Sequence, residues 1–88
     1  MKLVFDIETD GIDATRIWCL VIQDVENKRI FKCSDIDDKC FSLSEGLAMM
    51  DKADALIGHN IIGYDLAILK KLTGKDYYNK KLYDTWIM

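Results

Sequence analysis

The sequence predicts an α/β fold, a mixed sheet with helices packed on it. Three observations carry that expectation. The first third of the chain is a series of short apolar segments with the β-branched content of strands. A polar turn between the second and third of these gives an antiparallel hairpin. Helical periodicity appears only later, alternating with one further short strand, the pattern that lays helices on a sheet.

The elements follow in order. Lys2 to Ile7 is a short apolar run and reads as a strand, closed by an Asp10-Gly11 turn. Arg16 to Gln23 is apolar on both faces, as a central strand is. Glu26-Asn27-Lys28 is a polar turn, and Arg29 to Cys33 returns as a third strand. Ser42 and Glu45 have capping-box spacing, and Leu43, Leu47 and Met50 follow at helical intervals, so a helix is predicted over Ser42 to Lys52. Ala55 to Ile57 is a brief strand that Gly58 ends. Asp65 to Leu72 carries Leu66, Leu69 and Leu72 on one stripe, with Gly74 placed to stop that helix. Tyr77 to Met88 fits neither period.

At 88 residues the chain has room for one small domain, with no repeat or linker. Half the residues are hydrophobic and 31% are charged, which separates it from disordered chains. No apolar run approaches the ~20 residues of a membrane span. Asp6 and Glu8 break the opening apolar run too early for a signal peptide, so a soluble cytoplasmic protein is expected. The three cysteines, Cys19, Cys33 and Cys40, are odd in number and form no Cys-x-x-Cys. That argues against a disulfide framework or a zinc site and for reduced, idle thiols. His59 is the only histidine, so no His-rich metal site is expected.

The formal net charge of −3 disfavours a nucleic-acid partner when taken alone. Bound divalent cations would change that balance locally. Lys70, Lys71, Lys75, Lys80 and Lys81 also cluster late in the chain, opposed in sequence only by Asp76. Two readings stand for this cluster: a solvated basic face, or a phosphate-contacting patch.

The residues with chemistry fall in two places. In Asp6-Ile7-Glu8-Thr9, side chains two apart on a strand share a face, so Asp6 and Glu8 point one way while Leu3, Phe5 and Ile7 point into a core. Two carboxylates on one face repel unless protons or cations intervene, and Mg²⁺ prefers such oxygen ligands. The plainer alternative is a strand running out into solvent. The second place is Asn60-Ile61-Ile62-Gly63-Tyr64-Asp65, between a strand and a helix. Taken singly, Asp65 reads as an acid favoured by the helix dipole in a first turn, Asn60 as a turn residue, Tyr64 as a half-buried aromatic and His59 as structural.

Taken together and in this order, Asp-Ile-Glu-Thr on the first strand and Asn-x-x-x-Tyr-Asp opening a helix resemble the first two motifs of the DEDD (DnaQ-like) 3′–5′ exonuclease superfamily. The resemblance spans nearly the whole chain. It looks closest to the N-terminal proofreading domain of phage T7-like family A DNA polymerases. The Gly-His-Asn run at Gly58 to Asn60 and the Asp84-Thr85 pair are similar to that group too.

The resemblance implies an RNase H-like mixed sheet with flanking helices, C-terminally truncated, as a single partial exonuclease domain over residues 1–88. It implies two-metal hydrolysis of 3′-terminal phosphodiester bonds, with two Mg²⁺ or Mn²⁺ ions. Asp6 would bridge the ions, Glu8 would hold the nucleophile-side ion, and Asp65 would act on the second through water. Thr9 and Asn60 would place the terminal nucleotide, and Tyr64 would pack beside the site. The implied partners are a single-stranded DNA 3′ end and a downstream polymerase chain, in the cytoplasm of a bacterial or phage-infected cell. One departure stands out. The family's third motif, Tyr-x-x-x-Asp or His with a later Asp, has no match after Asp65: Tyr77 is followed four residues later by Lys81, and Tyr78 by Leu82. Asp84 sits where the family has a structural Asp-Thr. Weak or absent activity is therefore expected of the isolated chain. Two other readings stay open: a non-catalytic remnant that binds nucleic acid or a complementary chain, and a small RNA-trimming exonuclease of the same superfamily.

Overall fold

Residues 1–11 and 14–85 are described by the computed structural model. Five strands and two α-helices run in the order β1 (Lys2–Thr9), β2 (Ile17–Asp24), β3 (Ile30–Cys33), α1 (Leu43–Lys52), β4 (Ala55–Gly58), α2 (Leu66–Thr73) and β5 (Lys81–Asp84). One turn of π-helix, Ile61–Asp65, leads directly into α2. The strands form a mixed sheet in the order β3-β2-β1-β4-β5. β1 pairs antiparallel with β2 and parallel with β4; β2–β3 is antiparallel and β4–β5 parallel.

β1 alternates as its sequence predicts, with Leu3, Phe5 and Ile7 buried and Val4, Asp6 and Glu8 exposed. It runs to Thr9, past the expected end at Ile7, because β2 continues beside it: Glu8 pairs with Cys19 and Thr9 with Ile17. β2 is the inner strand its two-sided apolar character requires. Leu20 and Ile22 point to the same core as Phe5 and Ile7, which lie opposite them.

Both helices pack on that core face. Ser42 caps α1 with a complete capping box: its hydroxyl accepts the Glu45 amide at 3.1 Å while the Glu45 carboxylate accepts the Ser42 amide at 2.9 Å. Gly46 is where α1 meets the sheet, since a Cβ there would stand 2.8 Å from Cys33 Sγ and 2.9 Å from Leu20 Cδ2. On α2, Leu66 and Leu69 are buried and Leu72 is half-buried, as the predicted stripe requires. Gly74 ends that helix at φ 77°, its amide returning to the Lys70 carbonyl. Leu3, Leu20, Ile22, Met50, Leu56 and Ile61 are almost fully buried at the centre of the core.

Three details refine the expectations. Gly58 ends β4 from within the strand, one residue past Ile57, as its last paired residue, opposite Asp84. The segment from Tyr77 that fits neither period contains β5, whose parallel pairing with β4 no local pattern reveals; its last residues, 86–88, lie outside the described residues. The lysine cluster is largely solvent-exposed and partly paired. Lys75 pairs with Asp51 at 2.8 Å and Lys70 with Asp76 at 3.3 Å, while the Lys80 ammonium donates to the carbonyls of Asp51 and Ala53 at 2.9 and 2.7 Å. Asp51, distant in sequence, is the counter-charge that the local reading missed. Among the described residues no helix is long and apolar enough to cross a membrane. Cys19, Cys33 and Cys40 are free thiols. Burial pushes the Cys33 thiol up to about 11, so it is held protonated at neutral pH.

Candidate functional site

β1 is longer than the strand beside it. Its pairing with β4 covers Lys2 to Val4, against Ala55 to Ile57, and β4 ends at Gly58. Beyond that point β1 carries Asp6, Glu8 and Thr9 past the neighbouring strand. The π turn crosses this gap. A Cβ on Gly58 would stand 2.4 Å from Ile61 Cγ2 and 3.0 Å from the Phe5 carbonyl oxygen, so glycine is what lets the turn close over the end of β4.

The turn delivers Asp65 to β1. Its carboxylate accepts the backbone N–H of Ile7, taking the position a longer β4 would have filled. Asp65 is only 5% exposed, and its Oδ2 is buried without a hydrogen-bond partner. Burial pushes its carboxyl up to about 6. The nearby charge of Asp6 adds to this and that of Asp84 adds less, while the Ile7 amide opposes them. Asp65 does stand at the start of α2, where the helix dipole favours an acid. It makes no capping bond to α2, and it faces β1 rather than solvent.

The other motif residues divide as follows. Asp6 and Glu8 stand exposed on the face of β1 away from the core. The hydroxyls of Thr9 and Tyr64 lie 2.9 Å apart, and both reach the Gly11 carbonyl, at 3.0 and 2.9 Å. The two motifs are thus tied directly across 55 positions of sequence. Asn60 adopts a left-handed conformation (φ 56°), which Asn tolerates better than most residues, and its amide donates to Asp84 Oδ1 at 2.7 Å. The Ile62 amide donates to Asp84 Oδ2 at 2.9 Å. Asp84 is almost fully buried and holds the loop between β4 and the π turn. His59 Nδ1 lies 2.9 Å from Thr85 Oγ1, on the exposed side of the same loop.

No family model matches the chain, and no curated protein matches it.

The arrangement brings Asp6 and Asp65 into one electrostatic environment and leaves Glu8 further along the strand. Among the described residues no three His, Cys, Asp or Glu side chains converge closely enough to hold a metal ion by themselves. Sequence reasoning missed two contributors, the Ile7 amide and the Gly11 carbonyl. Both are backbone groups, and no residue type signals them.

Proposed function

We propose that this chain is the front part of a DEDD-type 3′–5′ exonuclease domain, of the proofreading kind found in DNA polymerases, built on an RNase H-like fold. The observation that carries the reading is Asp65: a carboxylate buried beside Asp6, with one oxygen unpartnered. A buried, unpaired carboxylate is costly, and structural proteins avoid it. A divalent cation at this point would relieve both the orphaned oxygen and the repulsion from Asp6. The mixed sheet with helices packed on it is the architecture the motif resemblance calls for.

The donor set fits a hard cation in kind, since every candidate ligand is a carboxylate oxygen. Asp6, Glu8 and Asp65 would hold Mg²⁺ or Mn²⁺, with the convergence left incomplete by these three alone. Two such ions, when bound, supply an activated water and stabilise the departing oxygen of a phosphodiester. The chain's own contribution is positional. The Thr9–Tyr64–Gly11 hydrogen bonds fix the end of β1 against the π turn. The Asp84 clamp fixes Asn60 beside it, where Thr9 and Asn60 would receive the terminal nucleotide and Tyr64 would pack at its side. The substrate class is the 3′ end of single-stranded DNA, with RNA as the alternative within the same reading.

The 88 residues contain no Tyr-x-x-x-Asp after Asp65. We therefore expect the purified chain to remove 3′ nucleotides very slowly or not at all. A displacement of ~1 Å at a reacting centre already costs ~100-fold in rate. A polypeptide carrying Tyr-x-x-x-Asp, fused or added in trans, is expected to restore Mg²⁺-dependent release of 3′ nucleotides. That activity should vanish with Asp6→Ala or Asp65→Ala. Assay of the fusion on labelled single-stranded DNA and RNA decides the substrate. One observation favours a second reading, a non-catalytic remnant that binds nucleic acid or a complementary chain: the incomplete convergence of Glu8 with the two aspartates. No activity from the fusion, with DNA binding retained, would select that reading.

A further inference from the structure

The sheet has two faces and, among the described residues, helices on only one. Gly46 seats α1 against Leu20 and Cys33, and the α2 leucines join the same core as Leu3 and Phe5. The strands on the parallel side of a sheet ordinarily have both faces covered. On the open face, directly paired residues form rows across the strands. The middle row is Tyr83, Ile57, Val4, Gln23 and Ile30, set by the pairings Ile57–Tyr83, Val4–Ile57, Val4–Gln23 and Gln23–Ile30. It is apolar but for one glutamine, and Ile30 is 66% exposed. The row on one side holds Lys2 and Lys81, paired through Ala55. The row on the other holds Asp6, with Val21 and Lys32 beside it, and Glu8 lies beyond.

On β1 the apolar row has Lys2 to one side and Asp6 to the other, an arrangement complementary to itself. A two-fold axis lying along the middle row turns a second copy face down. Its Tyr83, Ile57, Val4 and Ile30 then meet their own equivalents, and Lys2 of each copy comes over Asp6 of the other. That is the isologous geometry of a symmetric dimer, and sheets stack face to face in this way. We infer that the open sheet face is a self-association surface occupied by a second copy of this chain. The inference does not rest on the exonuclease reading: Lys2 of the second copy and a divalent cation compete for the Asp6 carboxylate, so the dimer is the metal-free state of this face.

The size of the face sets the strength. Strands ~4.8 Å apart and rows ~6.8 Å apart give a face of about 500 Å² per copy, or about 1,000 Å² in all. That is the lower limit for a specific interface, so the dimer is reversible and concentration-dependent. The apolar row supplies most of the attraction. The exposed Lys2–Asp6 pairs contribute little affinity and instead set the orientation.

Sedimentation equilibrium of the full chain in chelator, from about 10 μM to about 1 mM, tests this. The average mass should rise with concentration from monomer to dimer and no further. Val4→Lys, at an exposed position, should give a monomer throughout. Lys2→Glu should weaken association about tenfold, since two symmetric pairs turn repulsive. The charge-swapped Lys2→Glu/Asp6→Lys chain should recover it, which a merely structural lesion would not allow. Circular dichroism establishes that each variant is folded. A wild-type chain that stays monomeric across the range would overturn the proposal and leave the face to another kind of partner. A dimer unaffected by both Val4→Lys and Lys2→Glu would overturn it equally, by placing self-association elsewhere, for instance along the β5 edge.

Discussion

The carboxylate of Asp84 receives the amide of Asn60 at 2.7 Å, and it is this contact, with the Ile62 amide on the other oxygen, that gives the second motif its shape. Asn60 is in the left-handed region and Ile62 lies one residue into a π turn, so neither amide has a regular secondary-structure partner. A buried amide must be paired, and β5 presents Asp84 at the position in register with Gly58 to do it.

Asp84→Ala should therefore orphan two amides and cost about 2–4 kcal/mol. In a domain of this size that lowers Tm by ~10 °C or more. Asp84→Asn keeps one acceptor oxygen and should lose roughly half as much. Thermal melts of the three chains side by side provide the check. Equal melting of wild type and Asp84→Ala would mean that the clamp does not hold the loop.

The proton on Asp65 gives a pH dependence with a defined sign. Its folded carboxyl, at about 6, holds a proton more tightly than the ordinary value of 3.8. Through that window the folded chain binds more protons than the unfolded one, so this group lowers stability as pH rises and adds no further change above it. Without metal, Asp65→Asn should be more stable than wild type above the window, by about 1–3 kcal/mol, and no more stable below it. Urea midpoints in chelator at two pH values, one on each side of the window, measure the crossover.

Asp6 raises the carboxyl of Asp65 through its charge, second only to burial. Asp6→Asn should bring the Asp65 titration down toward the ordinary carboxylate range, observable in the carboxyl ¹³C shift. The same substitution should raise Tm in chelator, because it removes a like-charge neighbour. An unmoved Asp65 titration would show that burial alone sets it.

Calorimetry should register weak Mn²⁺ binding by the wild type and none by Asp6→Ala or Asp65→Ala. Binding should strengthen as pH rises through about 6, as Asp65 loses its proton. Equal heats from wild type and Asp6→Ala would remove the metal site.

Gly58→Ala tests the join between β4 and the π turn. The added methyl would meet Ile61 Cγ2 at 2.4 Å and the Phe5 carbonyl oxygen at 3.0 Å, and the second contact is backbone that cannot swing away. A loss of about 1–3 kcal/mol is expected, together with faster amide exchange at Ile7 as Asp65 is displaced.

What the chain determines locally was legible in its sequence. The in–out alternation of β1, the Ser42–Glu45 capping box, the Leu66–Leu69–Leu72 stripe and the Gly74 stop each depend on residues within a few positions of one another, and each forms. The pairing of Asp6 with Glu8 on one face follows from the same two-residue period. The tertiary structure alone decided that β4 stops short of β1, that the π turn fills the gap, and that Asp65 is buried against Ile7. It also directed Lys75 to the Asp51 carboxylate and Lys80 to the carbonyls of Asp51 and Ala53, so that part of a basic run in sequence is engaged by a distant segment in space. The physical reason is the same throughout. Periodicity and capping are properties of neighbouring residues, whereas the ionisation of a carboxylate and the partners of an amide are set by groups the fold brings in from elsewhere in the chain.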